Sequence, residues 1–124
     1  MQKEKGGISV KDTEKIKKPW GQEVVWAKEE KFAGKLISIT IQQRTSLHYH
    51  KIKDEVFYLY SGKLKLTIVE DGVAKYYKLR AGDTWHIKPK TTHRLEAETH
   101  CVLFEVSTPE LEDVVRLEDD YGRV

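Results

Sequence analysis

At 124 residues the chain is sized for one domain around a single core, and 39% hydrophobic with 34% charged residues lies within the range of folded proteins. The net charge of +2 hides six Lys against three acids over residues 1–18 and two Arg against seven acids over residues 105–124. Acids interspersed with the lysines exclude the clustered basic footprint of a nucleic-acid binder but leave room for a small anionic ligand. No apolar run reaches the roughly eighteen residues of a membrane span and the N-terminus lacks an apolar secretory stretch, so a cytoplasmic protein is expected. The single cysteine, Cys101, rules out an internal disulfide and a cysteine metal cluster, and reads as a small strand residue beside Val102.

Residues 1–18 have no sustained period and contain Gly6-Gly7, which predicts a flexible arm or one short strand around Ile8 to Val10. Lys18-Pro19-Trp20-Gly21 punctuates the chain before a strand over Gln22 to Ala27, and Lys28 to Gly34 makes a polar turn. Lys35 to Gln43 alternates, with Ile37, Ile39 and Ile41 on the face assigned to the core. Val56 to Tyr60 is an aromatic strand whose Phe57, Tyr58 and Tyr60 read as core and barrel wall. Ser61-Gly62 is a two-residue turn signal, Lys63 to Glu70 turns Leu64, Leu66 and Ile68 inward, and Asp71-Gly72 returns the chain into Ala74 to Leu79. Thr84 to Ile87 is a short strand closed by Pro89, and Thr92 to Glu98 with Cys101 to Val106 is expected as one more hairpin. Turns every 8 to 12 residues or so, with no helical stripe before residue 108, predict an all-β sandwich or barrel. The tail from Thr108 is expected as one helical turn, Glu110 to Val114, and otherwise an acidic surface strap.

Chemistry concentrates between His48 and Gly62. Residues i and i+2 of a strand share a face, so His48 and His50 present two imidazoles side by side, and the polar link Lys51 to Asp54 brings Glu55 back to them. Two imidazoles and a carboxylate suit a borderline divalent metal. His93 has the parity of Leu95 and Ala97, so it faces inward if they do. Burying three imidazoles and a carboxylate without a shared partner is costly, and a cation removes that cost. His86, between inward Trp85 and Ile87, is expected to point outward, and His100 to be solvated. Lys51 and Lys53 stand beside the candidate ligands, with Arg44, Lys88, Lys90 and Arg94 as further cations for a phosphate.

These residues resemble a known family. His48-x-His50-x4-Glu55-x6-Gly62 is similar to the first cupin motif, and Gly82 to Pro89 followed by His93 is similar to the second, a match over residues 35–106. Gln42 stands at the usual opening glycine, Lys88 and Lys90 replace the proline and glycine around Pro89, and Ala97 stands where asparagine is common. The resemblance implies a double-stranded β-helix, or jelly-roll, barrel over residues 19–107, with the arm 1–18 as a possible swapped strand and the tail 108–124 packing on the barrel. It implies one divalent transition metal (zinc, manganese, iron, nickel or cobalt) held by His48, His50, Glu55 and His93, and a homodimer.

Lys18-Pro19-Trp20-Gly21, Ser46-Leu47 and Asp113 to Arg123 further resemble the cupin domain of type II mannose-6-phosphate isomerases, in which the first His is often Gln and an Arg stands where this chain has Lys53. That implies an aldose–ketose isomerase acting on a sugar phosphate, with Lys53 contacting substrate and Lys51, Arg44 and Lys90 binding it. The residues themselves leave two alternatives: a non-catalytic sugar-binding or regulatory cupin, and an iron-dependent dioxygenase.

Overall fold

The computed structural model describes residues 3–124, with side chains from Gly6 onward. All its regular structure is β: β1 (Lys3–Lys5), β2 (Ile8–Val10), β3 (Glu14–Lys18), β4 (Gly21–Lys28), β5 (Ala33–Ile39), β6 (Leu47–Tyr49), β7 (Glu55–Ser61), β8 (Lys63–Glu70), β9 (Val73–Arg80), β10 (Thr84–Ile87), β11 (Thr92–Ala97), β12 (Cys101–Ser107) and β13 (Val115–Glu118). Two antiparallel sheets carry the fold, one in the order β10-β7-β12-β5-β4-β3 and the other β13-β6-β11-β8-β9. Together they make a jelly-roll barrel. Among the described residues no helix is long and apolar enough to cross a membrane.

The inward residues of both sheets follow from alternation along each strand. Ile37, Ile39, Phe57, Leu59 and Leu103 from the first sheet meet Leu64, Leu66, Ile68, Leu95 and Ala97 from the second, with Trp20, Ile87 and Cys101 closing the cluster. Each fully buried Leu or Ile contributes about 1.5–3 kcal/mol relative to exposure. Cys101 is buried, and its thiol is pushed up to about 11 by that burial, so it is an inert packing residue.

Several expectations change. Ile41 is 52% exposed because β5 ends at Ile39 and the chain turns through Gln42, whose φ of 65° breaks the alternation. That left-handed residue costs roughly 1 kcal/mol in a non-glycine, and it falls where the family places glycine. Phe57 is core, but Tyr58 and Tyr60 point outward. Ser61-Gly62 does not close a hairpin, since β7 and β8 belong to different sheets, and β11 and β12 are likewise split. Periodicity tells which face of a strand is apolar but not which of two facing sheets it joins.

In the N-terminal segment the short strand expected around Ile8 to Val10 is present as β2, which pairs with β1, and β3 is in addition the edge strand of the six-stranded sheet. The first two residues of that segment lie outside the described residues. The expected helical turn over Glu110 to Val114 is absent. The tail instead makes a turn at Leu111-Glu112 and enters β13, which pairs with β6. The hydrogen bonds open along β6 outweigh a weak helical preference in so short a segment.

Candidate metal centre

Cross-strand register builds the centre. Residues directly opposed on neighbouring antiparallel strands project to the same face, and on the five-stranded sheet Arg116, His48, His93 and Ile68 are opposed in turn across β13, β6, β11 and β8. The face that buries Ile68 and Leu95 therefore carries His48, His93 and Arg116 as well. His50, two residues beyond His48, joins them. The ring centroids lie 5.0 Å (His48–His50), 4.4 Å (His48–His93) and 5.5 Å (His50–His93) apart, and one ligand atom from each ring lies within 4.8 Å of the others.

The backbone sets the tautomer of all three rings. Nδ1 of His48 lies 2.8 Å from Ser46 O, Nδ1 of His93 lies 2.8 Å from Thr91 O, and Nδ1 of His50 bonds Asp113 O. A carbonyl only accepts, so each Nδ1 carries a proton and each neutral ring keeps its lone pair on Nε2. Glu55 comes from the opposite sheet, placed inward between Ile87 of β10 and Ser107 of β12. Its Oε2 lies 3.0 Å from Nε2 of His50 and 3.3 Å from Nε2 of His93, yet accepts no hydrogen bond.

Lone pairs facing a carboxylate oxygen repel unless the rings are protonated or a cation lies among them. Protonation of His48 is opposed by the site itself. Burial, reinforced by the neighbouring His93 and His50, holds the pKa of His48 well below its usual value. Burial would raise the Glu55 carboxyl, but its contacts with His50 and His93 and the Lys53 charge outweigh that and hold it well below the usual range. A carboxylate kept ionised, with one orphaned oxygen turned to the Nε2 atoms of His50 and His93 and a neutral His48 beside them, is a donor set that fits a single divalent transition metal.

Beyond Glu55 runs a ladder of buried charges. Lys53 is 3% exposed, and its Nζ lies 3.1 Å from both Glu55 Oε1 and Glu105 Oε2. Burial works against that ammonium, but Glu105 and Glu55 outweigh it and raise its pKa. Lys53 therefore stays protonated. Glu105 is raised by burial over the opposing pull of Lys53. Glu105 is opposed to Lys35 across β12 and β5, and Lys35 Nζ lies 3.1 Å from Glu23 Oε1. Lys18, Arg116 and Arg123 share a cavity of about 110 Å³ with these groups and the four candidate ligands.

The other expected substrate contacts are elsewhere. Lys51 is exposed and does not line the cavity; its backbone N–H, with those of Ile52 and Lys53, donates to the Asp113 carboxylate, whose pKa these three bonds lower to about 2. Arg44 is turned away in a bidentate pair with Asp120 at 2.7 and 2.8 Å. Lys90 is exposed in a left-handed turn, φ 66°, where the family places glycine, and its N–H bonds His50 O. Arg94 is buried against Thr45 O, and exposed His86 pairs with Asp54. His100 is exposed, as expected.

Sequence reasoning missed Glu23, Lys35 and Glu105 although parity marks them: Lys35 alternates with Ile37 and Ile39, and Glu105 with Leu103 and Cys101. It met Lys18, Arg116 and Arg123 only within the flanking stretches that carry the resemblance and gave them no role, because their charge-rich segments have no apolar period.

A family model described as Cupin domain matches residues 36–107, more than half of the chain, and the chain belongs to that family. The chain is 29% identical over 104 residues to a 3-hydroxyanthranilate 3,4-dioxygenase of Cupriavidus pinatubonensis, covering 78% of this chain and 51% of that protein. It is 29% identical over 58 residues, 47% of this chain and 43% of the other, to an uncharacterized protein of Methanocaldococcus jannaschii. The chain thus spans about half the length of the curated relatives it matches. Among solved structures, oxalate decarboxylase of Bacillus subtilis, in a study of its Mn(II) centres, superposes with a TM-score of 0.73 at 24% identity over 84% of this chain and 30% of that one. CapF with the inhibitor 3-isopropenyl-tropolone superposes with a TM-score of 0.75 at 18% identity over 87% and 34%. Those two likenesses are of fold.

Proposed function

We propose that this cupin is a cytoplasmic, metal-dependent isomerase that interconverts the aldose and ketose forms of a phosphorylated sugar, of the mannose-6-phosphate isomerase type, with His48, His50, Glu55 and His93 as the metal ligands. The observation that carries the reading is the convergence of three Nε2 lone pairs and an orphaned Glu55 oxygen inside a cavity also lined by cations. A divalent metal bound there supplies Lewis-acid polarisation of a carbonyl and charge stabilisation at the neighbouring oxygen. The protein's own part is proton movement. Isomerisation needs a group that takes a proton from one carbon and returns it to the next. Glu105 lines the cavity with a raised carboxyl pKa, while Glu55 is held ionised, so the two carboxylates are set apart for different tasks. Lys53 bridges them and orients both, a positioning role in place of direct catalysis. An acid–base group inside the cavity supports an enzyme over a purely sugar-binding cupin.

The test is metal analysis of the purified protein, followed by incubation of the metal-loaded chain with mannose 6-phosphate and its ketose isomer under NMR observation. Interconversion that disappears in His93→Ala along with the metal is expected; tight sugar-phosphate binding with no interconversion under any divalent metal would sink the isomerase. A second reading, an iron-dependent dioxygenase, draws on the 29% identity to the dioxygenase over 104 residues. Oxygen uptake by the Fe(II)-loaded chain with a small aromatic acid would favour it.

We further propose a homodimer. The outer face of the six-stranded sheet exposes Trp26, Val56, Tyr58, Tyr60, Phe104 and Val106, and the β1–β2 hairpin, a two-stranded sheet of its own among the described residues, exposes Ile8 and Val10. Contiguous apolar surface of this kind marks an interaction face, and the hairpin is suited to reach a partner's sheet.

A further inference from the structure

The metal centre accounts for one end of a substrate, and the cavity holds unassigned charge at the other. Of its five cationic lining residues, Lys53 is held by Glu55 and Glu105, Lys35 by Glu23, and Arg123 by Asp119. The side chains of Lys18 and Arg116 have no hydrogen-bond or ion-pair partner among the described residues. Both are half-buried, whereas Glu55 and His93 are almost fully enclosed, so the pair is nearer to solvent than those two ligands.

Backbone register holds them there. Lys18 ends β3 opposite Gly21, and Arg116 of β13 is opposed to His48, on the same face as that ligand. Burial lowers the Lys18 ammonium over the pull of Glu23, and the nearby charges of Lys35, Arg116 and Arg123, which line the same cavity, lower it further. Such a cluster is unfavourable when empty and favourable around a compact dianion, which an Arg guanidinium grips through two parallel N–H bonds. All three positions lie outside residues 36–107 that match the family, so this feature belongs to the flanks of this chain.

We infer that Lys18 and Arg116, with Arg123 beside them, form an anion subsite that takes the phosphate end of the substrate while the other end lies at His48, His50, Glu55 and His93. The inference rests on the sugar-phosphate reading for the substrate's identity but not for the subsite's existence.

Titration calorimetry of the full chain with inorganic phosphate, metal-loaded and after chelation, tests it, with metal content measured in parallel. The expected result is saturable phosphate binding that survives chelation and weakens at least tenfold in Lys18→Gln and in Arg116→Gln, less in Arg116→Lys, while metal content stays that of the parent. Phosphate affinity unchanged in the variants, or abolished by chelation alone, overturns the subsite. Malonate binding tighter than phosphate and lost in the same variants overturns phosphate as the head group. If Arg116→Gln fails to melt cooperatively, Lys18→Gln, altered at a strand end, decides alone. A parent that retains no metal yet binds phosphate through Lys18 defeats the metal reading and leaves the subsite standing.

Discussion

Glu105 and Lys53 separate two meanings of a buried charge. Lys53 is locked between two carboxylates and cannot release its proton, whereas Glu105 is pushed toward the range in which a carboxyl can gain and lose one. Glu105→Gln keeps the shape and removes the titrating group, so we expect kcat for isomerisation to fall about 10²- to 10⁴-fold with KM and metal content little changed; a fall in metal content equal to that in rate would make it a support for Glu55 instead. Asp119 carries a pH dependence of its own. The Arg123 guanidinium, with bonds of 2.8 and 2.9 Å, lowers its pKa to about 2, below the value of the unfolded chain. A carboxyl depressed on folding stabilises the fold above its unfolded pKa of about 3.9 and loses that contribution as the pH falls toward the folded one. The melting temperature of Asp119→Asn is therefore expected below that of the parent at pH 7, with the gap closing between about pH 4 and pH 2. A gap that persists at pH 2 would assign the difference to the hydrogen bonds alone.

At the level of strands, a tight constraint is the crossing from one sheet to the other at Gly62. Its φ is 100°, and a Cβ there would stand 2.4 Å from the backbone oxygen of His100. Gly62→Ala is expected to destabilise the fold by about 2–3 kcal/mol in chemical denaturation, with m unchanged; a loss under about 0.5 kcal/mol would mean that the β11–β12 connection yields. The same crossing marks how far the sequence could be read. Strands β8 and β10 have the bounds that alternation predicts, and the parity of His93 with Leu95 places the ring inward, as the structure finds. What alternation lacks is a label for the sheet, so Ser61-Gly62 reads like a hairpin turn when it is a passage across the barrel. The segments around Lys18 and Arg116 are illegible for a different reason. Their side chains are aimed by hydrogen-bond register with β4 and β6, and register between distant strands leaves no trace in a local pattern.

Taken whole, the barrel carries an exposed apolar band on the outer face of its six-stranded sheet. Phe104 and Val106 of β12 are opposed to Tyr58 and Val56 of β7, so the exposed apolar residues form a continuous band across two central strands. Light scattering is expected to give a dimer that Phe104→Glu converts to a folded monomer; a parent monomeric at high concentration would leave that band without its proposed occupant. The pairing of β13 with β6 ties the opposite side of the molecule to the site. Asp113 accepts the proton of His50 through its carbonyl and three loop amides through its carboxylate, so the tail and the ligand strand hold each other in place. Coupling of this kind is reciprocal. An ion that settles the imidazoles also settles the tail, and its removal by a chelator should quicken amide hydrogen exchange along residues 113–118, making the C-terminal segment a reporter of what the interior holds.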